Sequence, residues 1–185
     1  SSIKDCIEKI ENELGGFDIL VTCAWSGRKN DWETINDEDW NYDIEICLNG
    51  VYRLIKASTE TLKRSRGVIL NIGSMYGHVA PDYRLYEGVP QANPPSYGAA
   101  KAGIIQLTKY FAQYFKKDNI RVNCLSPGGI LDNQPKSFIT AYNSYCSKKG
   151  MLNPNDIATT LIFLISDSSE FITGQNLIVD DGFSL

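Results

Sequence analysis

The sequence predicts an α/β protein, an open and doubly wound parallel sheet with helices on both faces. Helix-period segments alternate along the chain with short apolar runs, and those runs are nearly continuous rather than alternating, as in strands buried on both faces. Two long irregular stretches, 77–96 and 128–150, each begin just after a strand's C-terminal end, the edge at which this architecture binds ligands.

The elements follow in order. Ile3, Ile7, Ile10 and Leu14 fall at helical spacing, and Gly15-Gly16 stops the pattern. Phe17 to Thr22 is the first strand. A long helix follows, with Asn36 as its cap, Asp37, Glu38 and Asp39 at its positive end, and Lys63, Arg64 and Arg66 gathered before Gly67. Gly67 to Ile72 is the second strand. A helix from about Ser96 to Lys117 carries the apolar stripe Ile104, Leu107, Phe111 and Phe115, and the third strand runs from Ile120 to Leu125. Asn153-Pro154 starts a helix through Leu164, and Gln175 to Val179 is the last strand. The whole of 1–185 reads as one domain.

Composition narrows the function. Hydrophobic residues make up 43% and charged residues 22%, and a net charge of -4 gives no electrostatic reason to seek a phosphate backbone, so nucleic acid is not an expected partner. The most apolar run, Leu161 to Ile165, is too short to span a bilayer, and the opening Ser1-Ser2-Ile3-Lys4-Asp5 lacks the basic and apolar regions of a secretion signal, so the expected location is the cytoplasm. Cys6, Cys23, Cys47, Cys124 and Cys146 are scattered, without a C-x-x-C pair, and His78 is the single histidine. Neither a disulfide framework nor a metal site is expected, and the thiols are expected to be reduced and mostly buried.

The chemistry-bearing residues lie in Tyr97-Gly98-Ala99-Ala100-Lys101, which sets a phenol and an ammonium on one helix face. Spacing alone does not single them out, because Tyr52/Lys56 and Tyr145/Lys149 repeat it among ten tyrosines. Context does. Only Tyr97 is flanked by Gly98, Ala99, Ala100 and Gly103, which permit close approach, and only Tyr97 follows a strand ending in Asn71-Ile72-Gly73-Ser74, where a hydroxyl reaches the same sheet edge.

From Ile72-Gly73-Ser74 through Tyr97-x-x-x-Lys101 to Asn123-Cys124-Leu125-Ser126-Pro127-Gly128-Gly129, the chain resembles the short-chain dehydrogenase/reductase family, and Gly174 to Gly182 resembles that family's last strand. The resemblance implies a Rossmann-like, NAD(P)-dependent oxidoreductase with Ser74, Tyr97 and Lys101 as catalytic residues. Tyr97 would exchange a proton with the substrate oxygen, Ser74 would hydrogen-bond that oxygen, and Lys101 would hold the nicotinamide ribose. A phenol titrating near 10 needs nearby positive charge to work at neutrality, and Lys101 is expected to supply it. Thr22, Cys23 and Ala24 after the first strand, and Pro127, Gly128, Gly129 and Ile130 after the third, would line the cofactor beside Tyr97 and Lys101.

The chain departs from the family pattern at Trp25, where glycine is usual, at Cys47, which takes the place of a catalytic asparagine, and at Asp132, where the family has threonine. No glycine-rich phosphate loop precedes residue 18, so the resemblance implies that three N-terminal strands, and the residue choosing NAD or NADP, lie outside this sequence. The polar and aromatic stretch His78 to Glu87, with Asp82, Arg84 and Glu87, points to a hydroxyl-rich or phosphorylated substrate. The run from Met75-Tyr76-Gly77 through Pro81-Asp82-Tyr83, with the later Gly128-Gly129-Ile130, Gln134-Pro135, Phe138 and Tyr142, is similar to a subgroup linked with bacterial surface-sugar and flagellin-glycan synthesis. A 3-oxoacyl reductase and a catalytically silent binding or assembly subunit are the alternatives. The small and aromatic face of the Tyr97 helix implies a homodimer or homotetramer.

Overall fold

In a computed structural model, described for residues 2–25, 27–28, 30–89 and 92–185, four parallel strands form one sheet. The helices are α1 (Ser2–Leu14), α2 (Asp37–Ile44), α3 (Gly50–Ser65), α4 (Pro95–Tyr114), α5 (Lys136–Asn143) and α6 (Pro154–Ile165). The strands are β1 (Ile19–Thr22), β2 (Val68–Ile72), β3 (Arg121–Pro127) and β4 (Asn176–Val179), and they lie in chain order.

Register assigns the two faces. Leu20 pairs with Ile69 and Ile69 with Val122, and these three pack in one core with Val51, Ile55 and Leu62 of α3 and Ile104 and Phe111 of α4. One residue further along, Val21 pairs with Leu70 on the opposite face, where Leu70, Leu125 and Leu177 pack with Ile157 and Leu164 of α6. Burial on both faces is the physical reason the strands read as continuous apolar runs. It also produces the doubly wound arrangement predicted from sequence.

The first face carries a polar chain within its apolar core. Thr22 Oγ1 donates to Asn71 Oδ1 at 2.8 Å, Asn71 Nδ2 donates to Thr108 Oγ1 at 2.9 Å, and Thr108 donates to the Ile104 carbonyl at 2.9 Å. All three side chains are buried, so each unmade bond would cost about 1–3 kcal/mol. The chain fixes α4 in rotation over β1 and β2, and therefore aims the residues at its start.

Three local features differ from the sequence expectation. The long helix is not uniform: a π turn at Glu45–Asn49 separates α2 from α3, which widens the helix where Cys47 is buried. Stretch 128–150 contains α5. The cysteines divide, with Cys47 and Cys124 buried, Cys146 intermediate, and Cys6 and Cys23 exposed, so the thiols are not mostly buried. Among the described residues no helix is long and apolar enough to cross a membrane.

Candidate active site

Because the strands are parallel, their C-terminal ends share one edge, and this edge collects most of the residues singled out from sequence. Thr22 ends β1, with Cys23 and Ala24 just beyond it. Ser74 follows β2, and Pro127 ends β3 with Gly128, Gly129 and Ile130 after it. The start of α4 brings Tyr97 and Lys101 to the same edge.

Lys101 is buried, and its Nζ donates to the Ile72 carbonyl at 2.8 Å, which ties α4 to the end of β2. An ammonium has three donors, so further N–H groups remain for a ligand. The same Nζ lies 5.7 Å from the Tyr97 ring centroid. Burial lowers the Lys101 pKa below the ordinary lysine value.

Tyr97 is packed at its ring edge by Trp25, at 6.3 Å between centroids. Burial raises its phenol above the ordinary value, and a hydrogen bond with the Ser74 side chain pulls it partly back. Against the expectation that the lysine charge would bring the phenol down, desolvation is the largest influence and its direction is upward, so Tyr97 is a protonated hydroxyl at neutral pH. Ser74 is itself oriented, because its Oγ accepts the Tyr76 N–H at 3.2 Å.

The loop after β3 is narrower than its sequence conveys. A Cβ on Gly128 would stand 2.7 Å from Asp180 Cα, and one on Gly129 would stand 2.9 Å from the Tyr142 ring. The chain's own packing therefore demands glycine at both positions. Tyr142 locks the loop by accepting the Gly129 N–H at 2.6 Å and stacking on Phe183 with ring centroids 4.4 Å apart. Asp132, by contrast, is exposed, and its N–H donates to Gln134 Oε1 at 2.7 Å.

Two adjoining clefts open at this edge. One, of about 200 Å³, is lined by Trp25, Arg28, Asp43, Cys47, Asn93 and Tyr97, among others. The other, of about 280 Å³, lies against Met75, Tyr76, Gly129, Phe138 and Tyr142. Tyr86 and Asn93 line both. Asn93 Nδ2 donates to Tyr86 Oη at 2.9 Å, and the Tyr86 and Tyr76 hydroxyls are 3.1 Å apart. Sequence reasoning had not assigned Asn93 or Asp43 to the site, and it had placed Tyr86 only within a polar loop. Their signal is weak, because each is a common residue type whose role depends on which loop it faces.

Other expected residues go elsewhere. Asp82 and Arg84 pair with each other, and Tyr145 Oη donates to Asp82 Oδ2 at 2.8 Å, so this cluster joins the two long loops. Lys149 pairs with Asp156, which separates it from Tyr145. Asn49 Nδ2 donates to Glu45 at 2.8 Å, whereas Cys47 faces the Tyr97 cleft.

The sequence profile of the family described as enoyl-(acyl carrier protein) reductase matches residues 1–184. The post-translational flagellin modification protein A of Campylobacter coli is 42% identical over 191 residues, covering 100% of this chain and 74% of that protein. A 3-oxoacyl-(acyl-carrier-protein) reductase of Vibrio harveyi is 32% identical over 188 residues, covering 98% of this chain and 72% of that protein. A crystal structure of a short-chain dehydrogenase from Leptospira borgpetersenii with bound NAD+ superposes with a TM-score of 0.92 at 39% identity, covering 99% of this chain and 71% of that one.

Proposed function

The chain belongs to the short-chain dehydrogenase/reductase family of NAD- or NADP-dependent oxidoreductases, and on that premise we propose that it interconverts an alcohol and a carbonyl on a sugar-type substrate, for bacterial surface-glycan or flagellin modification. The observation carrying this reading is the gathering of Ser74, Tyr97 and Lys101 at the sheet edge, with Tyr97 lining a cleft whose wall carries the Tyr86 hydroxyl and the Asn93 amide.

The residues present fit the nicotinamide half of the cofactor. Lys101 keeps N–H donors beyond the one given to Ile72, which suits the hydroxyls of a ribose. Thr22, Cys23, Ala24 and Pro127 to Ile130 would line the same group from the ends of β1 and β3. The bound nicotinamide supplies or accepts the hydride. Tyr97, protonated at neutrality, gives a proton to the substrate oxygen in reduction and takes one back in oxidation. Ser74 orients that oxygen through its hydroxyl, which the Tyr76 N–H holds in place. Lys101 holds positive charge behind the phenol and favours the tyrosinate that proton donation leaves.

A 3-oxoacyl substrate is the second reading, favoured by the likeness to the Vibrio harveyi reductase. An acidic carrier protein calls for basic charge near the cleft, and among the described residues Arg28 lies 3.5 Å from Asp39 and Arg84 is bound to Asp82, which supports the sugar. The reading extends to a cytoplasmic enzyme assembled as a homodimer or homotetramer through Tyr52, Tyr110 and Tyr114, exposed aromatics on α3 and α4.

The test is nicotinamide absorbance in the presence of a panel of nucleotide-activated sugars, keto sugars and 3-oxoacyl thioesters, with the Tyr97→Phe variant as control. Turnover confined to thioesters would replace the sugar reading. Binding of neither substrates nor dinucleotide would favour a silent assembly subunit.

A further inference from the structure

Helix α4 begins badly by its own sequence. Its cap position is Pro94, which has no side chain to accept a backbone N–H, and no acidic residue stands in its first turn. A helix start normally recruits a Ser, Thr, Asp or Asn oxygen and favours nearby negative charge. Here the charge arrives from another helix. Asp43 of α2 is buried at 2% exposure, and its Oδ2 accepts the Ser96 hydroxyl at 2.6 Å. Its Oδ1 accepts the Arg28 N–H at 3.0 Å, from the loop after β1. Ser96 is fully buried and immediately precedes Tyr97.

We infer that Asp43 is a positioning residue: its carboxylate clamps the first turn of α4 to the loop after β1 and thereby fixes the Tyr97 hydroxyl relative to Ser74 and Lys101. This rests on the assignment of Tyr97 as the proton-exchanging residue. One carboxylate holds both walls of the cleft that Asp43 shares with Trp25, Cys47 and Tyr97. Both of its oxygens meet donors, and it sits at the positive end of α4, which favours a carboxylate there. The polar chain from Thr22 through Asn71 to Thr108 holds the middle of α4, and the Asp43 clamp holds its start. Tyr97 lies between these anchors.

The test reads the phenol directly, in the intact chain labelled with tyrosine carrying carbon-13 at Cζ, with Tyr97→Phe identifying the resonance. The groups around the phenol are Ser74, Lys101, Cys47, Tyr76 and Tyr86. Asp43→Asn keeps size but removes the charge and one acceptor, and Ser96→Ala removes the other partner. In both, the start of α4 loosens and Tyr97 becomes more hydrated. Its titration midpoint should fall toward the ordinary phenol value by about half a pH unit or more. Ser96→Thr, which keeps the hydroxyl, should hold the native midpoint. The double variant Asp43→Asn/Ser96→Ala should move it no further than Asp43→Asn alone, because the bond that Ser96→Ala removes is one that Asp43→Asn has already weakened. A Tyr97 midpoint unmoved in Asp43→Asn and Ser96→Ala, with the fold intact by circular dichroism, would overturn the clamp. So would a shift in Ser96→Thr equal to that in Ser96→Ala. Loss of turnover in Tyr97→Phe tests the role of the phenol separately, so either idea can fail alone.

Discussion

Two tyrosine-lysine pairs share one spacing and almost one geometry, yet they sit in opposite surroundings. Lys101 Nζ and Lys56 Nζ each lie 5.7 Å from the ring centroid of the tyrosine four residues earlier. Lys56 reaches Tyr52 Oη at 3.3 Å on the exposed flank of α3, in water. Lys101 is buried and bonded to the end of β2, and Tyr97 stands where burial raises its phenol and the Ser74 hydroxyl draws it partly back. Helix periodicity therefore makes such pairs cheaply, and desolvation together with the sheet edge turns one of them into a reactive group.

The comparison breaks most sharply on the two phenols. Tyr97→Phe should reduce turnover by about 10²–10⁴-fold, the usual worth of a positioned general acid, with the fold unchanged. Tyr52→Phe should leave turnover within about twofold, since an exposed hydroxyl contributes little beyond its own pair. Steady-state rates on both variants decide it, and comparable losses would dissolve the distinction.

The next contrast is between the lysines. Lys101→Gln should weaken nicotinamide dinucleotide binding by about 10–100-fold, the worth of a hydrogen bond to a charged group, and calorimetry measures it. The pH profile carries a sign. Burial lowers the Lys101 pKa, so its charge is lost at a pH below the ordinary lysine value, and carbonyl reduction should fall as pH rises through that lowered point. Burial also raises the Tyr97 phenol, so the proton donor outlasts pH 10 and does not set this limb. For stability, the raised phenols of Tyr76, Tyr86, Tyr97 and Tyr142 contribute fully below the unfolded value of about 10, and that contribution is lost as pH climbs beyond it. Alkaline unfolding should begin there.

A smaller effect is expected at Cys47, which lines the Tyr97 cleft at 1% exposure. Cys47→Asn places a stronger hydrogen-bonding group inside the π turn and should maintain turnover or raise it about two- to threefold. A large fall would assign the thiol a role of its own. Alkylating reagents should reach Cys6 and Cys23 well before Cys47 or Cys124, as mass spectrometry of timed samples would show.

What the sequence made legible was whatever repeats with a period or stands beside a strand end. The parallel sheet followed from the apolar runs at Ile19 and Val68, and the sheet-edge placement of Ser74, Tyr97 and Lys101 followed from the small residues around Tyr97 and the strand before it. The hidden features depend on tertiary packing. A π turn leaves Glu45 to Asn49 helical in composition, and only the backbone shows the change. Helix α5 is eight residues long within a polar stretch, too short for periodicity to declare itself. Asp43 reads as one more acid in a helix rich in them, and its burial against Ser96 exists only once α2 and α4 are packed. Asp82 and Arg84 misled for the converse reason, since charge in a loop looks available until its partner is known.

The smallest effect belongs to the exposed pair, and it sharpens the comparison through assembly. An i,i+4 contact in water is worth about 0.5 kcal/mol or less. In a chain of this length that moves the thermal midpoint by about 1–2 °C. Lys56→Gln should therefore be nearly silent in a dilute melt. Lys56 also lines a shallow apolar groove with Tyr52, Leu107, Tyr110 and Tyr114, the face proposed for self-association. If two copies bury this groove, Lys56 is desolvated in the assembly as Lys101 is in the monomer, and its replacement acquires a cost that depends on protein concentration. Melting curves at low and high concentration, read beside light scattering, separate the cases. A shift that grows with concentration would place the pair in an interface, and a small constant shift would leave it solvated. A large constant shift would contradict the premise that exposure is what makes this pair weak.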